Sequence, residues 1–112
     1  LCGYCMSPRV CLRKDVESVR LHAGLHLHKG DNDGTVEWPF QHKIRLGIIH
    51  PQEKRQCLVE IKPPPEFAPV QKPTTPSNTA CFFEDPSFSL DTLRLYGFVI
   101  DDKLQIKWEV LQ

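Results

Sequence analysis

His22, His26 and His28 fall on alternate positions of one short segment. If that segment is a strand, side chains two apart stand about 7 Å from each other on one face, and two imidazoles can grip one zinc ion. Cys2 and Cys5 form a Cys-x-x-Cys, with Cys11 six residues further on. A closed tetrahedral site needs a second such pair, and the chain has none. A catalytic zinc needs a third convergent ligand and a supporting shell, which the spacing does not supply. The expectation is no metal and no cofactor, with zinc on Cys2, Cys5 and His26/His28 kept as an alternative. The histidine face itself reads as the solvent side of a strand. Asp31-Asn32-Asp33-Gly34 opens like a calcium loop, but the position that must be a bidentate glutamate is His42. It reads as a tight acidic turn. No nucleophile elbow, phosphate loop, zinc-protease helix or dinucleotide fingerprint is present. The domain is expected not to be an enzyme.

The whole-chain figures narrow the partners. Lysine plus arginine (14) balances aspartate plus glutamate (14) over 112 residues, so no broad field attracts nucleic acid or an anionic membrane. No apolar run approaches the roughly 20 residues that span a bilayer. Hydrophobic residues at 40% and charged residues at 25% are ordinary globular values. The five cysteines (Cys2, Cys5, Cys11, Cys57 and Cys81) are odd in number and scattered, which argues for a reducing, cytoplasmic setting. No secretory leader pattern follows Leu1, and a strand pattern begins almost at once. Residues 1–112 are therefore expected to form one domain, the carboxy-terminal part of a longer protein.

These residues are positioned by strands. Ten prolines leave little room for helix, and the block from Pro63 to Pro76 splits the chain into two strand-rich parts. Residues 4–12 are compatible with a strand that Pro8 confines to an edge or a bulge. Val19–His28 alternates, with Val19, Leu21, Ala23, Leu25 and Leu27 on one side. Residues 29–35 are a loop, and Trp38, Pro39 and Phe40 form an apolar plug. Residues 42–50 and Gln56–Ile61 make an antiparallel hairpin. The proline block predicts an extended surface loop. Residues 80–83 are a short apolar run, and residues 88–95 a helical turn or irregular strand. Asp101-Asp102 is a turn before the clearest strand, residues 104–110. Six or seven short strands with under one-tenth helix predict an antiparallel β-sandwich or barrel.

The run GDNDGTVEWPFQHKIRLGII resembles the carboxy-terminal domain of the tumour-necrosis-factor-receptor-associated factors (TRAFs), part of the meprin-and-TRAF-homology (MATH) group. Gly3-Tyr4 with Arg9, Val70-Gln71-Lys72-Pro73, and the segment from Phe98 through Asp101-Asp102 to Leu104 agree with further family motifs in order and spacing. The resemblance runs from Gly3 to about Val110. It implies an all-β, eight-stranded antiparallel sandwich that lacks its first strands here, their place left to a neighbouring segment or chain. It also implies a trimerising coiled coil upstream.

The function implied is an intracellular signalling adaptor that binds extended peptides from receptor tails or adaptors in a sheet-edge groove. The alternative is a MATH module that recruits substrates to a ubiquitin ligase. A ubiquitin-ligase ring elsewhere in the full-length protein fits the first reading. Carried over residue by residue, the groove comprises Arg9, Cys11, Asp15, Ile61 and Lys62. Phe67 opens the stretch that replaces the family's serine cluster. The neighbourhood of Ala80, Cys81 and Phe82 completes the site.

Overall fold

The computed structural model describes residues 3–111. Two three-stranded antiparallel sheets pack face to face. The first has the order β1 (Cys5–Lys14), β2 (Val19–His28), β5 (Cys81–Ser89). The second has the order β4 (Gln56–Ile61), β3 (Lys43–Ile49), β6 (Gln105–Leu111). The only helices among the described residues are α1 (Leu90–Leu95) and a three-residue 3-10 turn at Ala68–Val70, so helix stays under one-tenth as expected.

The alternation of β2 and β3 builds the core. Ala23, Leu25 and Leu27 project from the first sheet, and Ile44 and Leu46 from the second, all at 1% exposure or less. Phe40, fully buried, fills one end of the cleft with the Tyr4 ring edge-on at 4.9 Å. Trp38 is only half-buried. Its indole Nε1 donates to the Asp33 carbonyl at 2.8 Å, which ties the acidic loop to the plug. The Asp101-Asp102 turn has both residues at positive φ (52° and 58°), the geometry of a tight type I′ bend, and it closes on an Ile100–Lys103 bridge.

Three expectations need correction. The proline block is not simply a surface loop. Pro63 and Val70 are fully buried, and the Val70 carbonyl accepts from the Phe40 amide at 2.8 Å. The block is clamped onto the core because prolines add apolar bulk and leave few donors to satisfy. Residues 80–83 are only the start of β5, which runs on to Ser89. Between Phe82, opposite Gly24, and Ser87, opposite His22, the strand bulges through Glu84, Asp85 and Pro86, which breaks the alternation. Ser89 then caps α1 by accepting from the Thr92 amide. Finally, the histidine face of β2 is not wet. His22 is 8% exposed, and His26 and His28 are half-buried; Ser7 and Arg9 of β1, the Phe83 carbonyl of β5 and Ser77 just after the proline block engage their rings.

β1 lies at a sheet edge, as Pro8 requires. Its register sets Val10 opposite Ala23 and Leu12 opposite Leu21, so both face the core side of the sheet. Yet Val10 is 41% and Leu12 55% exposed, because among the described residues no element covers this flank. The two ends of the same apolar face should therefore respond differently to truncation. Leu25→Ala should cost about 2–5 kcal/mol through cavity formation. Leu12→Ala should cost about 1 kcal/mol, in keeping with its partial burial. Denaturant titration of the pair checks this; equal losses would mean the flank is covered in solution.

Candidate peptide-recognition face

The outer face of the first sheet collects the side chains with chemical potential. Antiparallel register places Arg9 opposite Gly24, and Gly24 opposite Phe82, so the three form one row across β1, β2 and β5. Gly24 permits this row. A Cβ there would overlap the Cys81 carbonyl oxygen and meet the Phe82 ring at 2.6 Å. The Phe82 ring thus spreads onto the glycine, with the Arg13 guanidinium 5.7 Å from its centroid, a cation–π contact.

Beside this row the histidines are held by specific hydrogen bonds. Arg9 donates to His26 Nδ1 at 3.2 Å. A guanidinium only donates, so this nitrogen carries no proton and the His26 proton sits on Nε2. The His26 and His28 rings lie 4.3 Å apart. Both nitrogens of His28 are engaged, Nε2 with Ser7 Oγ at 2.9 Å and Nδ1 with Ser77 Oγ at 3.1 Å. Next along, His22 Nδ1 donates to the Phe83 carbonyl at 2.9 Å, satisfying a carbonyl that the β5 bulge removes from the ladder. Arg20 donates to the hydroxyl and carbonyl of Ser87 at 2.7 and 3.2 Å. The face is therefore basic, aromatic and held in place by its own contacts.

The carried-over residues divide by position. Arg9, Cys11 and Phe82 share the outer face, Cys11 opposite His22. Asp15 sits at the tip of the β1–β2 hairpin. Its Oδ1 accepts from the amides of Ser18 at 2.8 Å and Glu17 at 2.9 Å, and these bonds hold its carboxyl below the ordinary value. It borders a concavity of about 380 Å³ with Arg13, Arg20, Glu84 and Asp85. Ala80 is half-buried immediately before β5. Cys81 turns inward opposite Leu25, and burial pushes its thiol up, against a smaller opposing effect of a backbone bond with Leu25. Ile61 is a core residue opposite Ile44. Lys62 is exposed and lines a different concavity of about 450 Å³ on the second sheet, with His42, Arg45 and Glu60. Phe67 stacks on Phe83 at 6.3 Å.

Sequence reasoning did not assemble Ser7, Arg13, Gly24, His26, His28 and Ser77 into this face. The available signal was Arg9 and Arg13 alternating along β1 in antiphase to its apolar residues. Of the alternative zinc ligands, Cys2 lies outside the described residues. Cys5 is exposed at the start of β1, and among the described residues no three potential ligands converge.

Such an architecture, a two-layer antiparallel sandwich with a side-chain-rich outer face running to a sheet edge, places the chain among the antiparallel β-sandwich domains. The TRAF/meprin MATH domain family model matches residues 1–107, and the chain belongs to that family. Human TNF receptor-associated factor 6 is 37% identical over 89 residues, covering 77% of this chain and 17% of its own length. The Danio rerio protein of the same name is 30% identical over 86 residues, covering 77% of this chain and 16% of its own length. The chain thus spans under a fifth of the relatives it matches. The solved structure of Notothenia coriiceps TRAF5 superposes with a TM-score of 0.74 at 24% identity, covering 99% of this chain and 57% of that one, and shares its fold.

Proposed function

We propose that this domain is a cytoplasmic signalling-adaptor module, without catalytic activity of its own, that binds an extended peptide from a receptor tail or adaptor. The peptide lies along the open edge of β5 at residues 80–82 and reaches the outer face of the first sheet. Family membership supports the class. The observation that carries the site is the Arg9–Gly24–Phe82 row, which runs across the outer face from a cation on β1 to an aromatic ring on β5, the edge strand. Backbone pairing along β5 supplies affinity, and the side chains of the row supply selectivity. His26 orients the Arg9 fork by accepting from it. Cys11, Asp15, Ile61, Lys62 and Phe67 complete the proposed site, with Ile61 and Cys81 acting through the backbone they anchor. Trimerisation through an upstream coiled coil belongs to the same proposal.

Arg9→Ala provides the test. A charge-assisted hydrogen bond is worth about 1.5–3 kcal/mol. The variant should then bind a selected receptor-tail peptide about ten- to a hundredfold more weakly, since about 1.4 kcal/mol is a decade. Its melting curve should be nearly unchanged, because Arg9 is exposed. Normal peptide affinity in a folded Arg9→Ala protein rules the groove out.

A further inference from the structure

Two hydroxyl groups in this chain stand immediately before a proline: Ser7 before Pro8 and Thr75 before Pro76. The fold treats them differently. Ser7 is half-buried within β1, paired opposite His26, and its Oγ is bonded to His28 Nε2 at 2.9 Å. Thr75 is exposed, as are Thr74 and Pro76 on either side of it. Its Oγ1 meets only the Ser77 carbonyl, at 2.9 Å, a bond open to water.

The backbone around Thr75 is presented rather than loose. Pro76 has a fixed φ and no amide proton, and it biases Thr75 toward extended geometry. The Pro76 carbonyl accepts from the Lys29 amide at 2.9 Å, and the Asn78 amide donates to the Leu27 carbonyl at 2.9 Å. The Asn78 side chain donates to the Pro69 and Gln71 carbonyls at 3.0 and 2.7 Å. The tip at residues 74–76 therefore stands out from an anchored base. Pro73, two residues before Thr75, is buried and anchors the near side of the tip. An exposed hydroxyl on a bend at residues 74–76, with an exposed proline directly after it, carries the minimal element that proline-directed protein kinases select.

We propose that Thr75 is a phosphorylation site for a proline-directed kinase. The γ-phosphoryl group of ATP passes to Thr75 Oγ1. The bond between the γ-phosphorus and the β,γ-bridging oxygen breaks, the Oγ1–P bond forms, the hydroxyl proton goes to the kinase base, and ADP leaves. As an ester oxygen, Oγ1 no longer donates to the Ser77 carbonyl. The product places a dianion at the concavity of about 260 Å³ lined by Ala68, Pro69, Ser77, Asn78 and Thr79. Ser77 bridges to His28, so the change is read at the edge of the histidine cluster.

The folded chain, incubated with a purified proline-directed kinase and ATP, should take up phosphate at Thr75, as located by fragmentation mass spectrometry. Label should be lost in Thr75→Ala and Pro76→Ala and kept in Thr74→Ala and Ser7→Ala. Amide resonances of Ser77 and Asn78 and the His28 ring should shift on phosphorylation. Thermal melts of the four variants confirm that each substrate is folded. No incorporation into the folded chain overturns the proposal. So does label on Ser7 or Thr74, or label retained in Thr75→Ala.

Discussion

Phe40→Ala should bring the chain to the edge of unfolding. Phe40 is completely buried between the two sheets, with Tyr4 edge-on at 4.9 Å and the His42 ring 5.5 Å away. Emptying such a site costs about 3–5 kcal/mol. A domain of this size commonly has only about 5–15 kcal/mol in total. The neighbouring Trp38→Ala should cost less, since Trp38 is half-buried and the change leaves Phe40 in place. Denaturant titrations followed by far-ultraviolet dichroism measure both. A Phe40→Ala loss below about 1 kcal/mol, the typical effect of an unremarkable substitution, would mean that the plug does not close the core.

Gly24→Ala should separate β5 from β2 and take the recognition face with it. Here the problem is space rather than a lost contact. The added methyl meets the Cys81 carbonyl oxygen and the Phe82 ring edge, and the carbonyl belongs to a backbone that cannot swing aside as a side chain can. Overpacking of this kind costs about 1–3 kcal/mol. Residues Arg20 to Leu25 lose part of their pairing with β5, so amide exchange should quicken across β5 while β3, β4 and β6 stay protected. Peptide affinity should fall together with β5 protection. A Gly24→Ala protein with unchanged exchange in β5 would contradict the close approach on which the row depends.

Much of this architecture was legible from residue order. Val19–His28 and Gln56–Ile61 stand where alternation put them, and the Asp101-Asp102 bend forms where two turn-favouring residues meet before an alternating strand. The same rule failed where tertiary contacts override it. Period two tells which residues share a face, not whether the face is covered. His22 is buried because β5 bulges beside it and offers the Phe83 carbonyl, and nothing local to β2 announces that. β5 itself was cut short because Glu84, Asp85 and Pro86 look like a loop and are in fact a bulge within a strand. Arg9, Cys11 and Phe82 share the outer face of the first sheet. Gly24 and the histidine cluster required the register between strands distant in sequence. The carried-over positions that point inward, Ile61 and Cys81, show how an alignment marks a neighbourhood without marking a side-chain direction.

The most direct test of the account follows the backbone amides of an isotope-labelled chain. A peptide chosen from an array of receptor-tail and adaptor segments is titrated in. The recognition face predicts the largest shifts at Arg9, Cys11, Ala80, Cys81 and Phe82, with intermolecular contacts from the peptide backbone to the edge of β5. Shifts confined to the second sheet around Arg45, Lys107 and Glu109, with the first sheet silent, would contradict it.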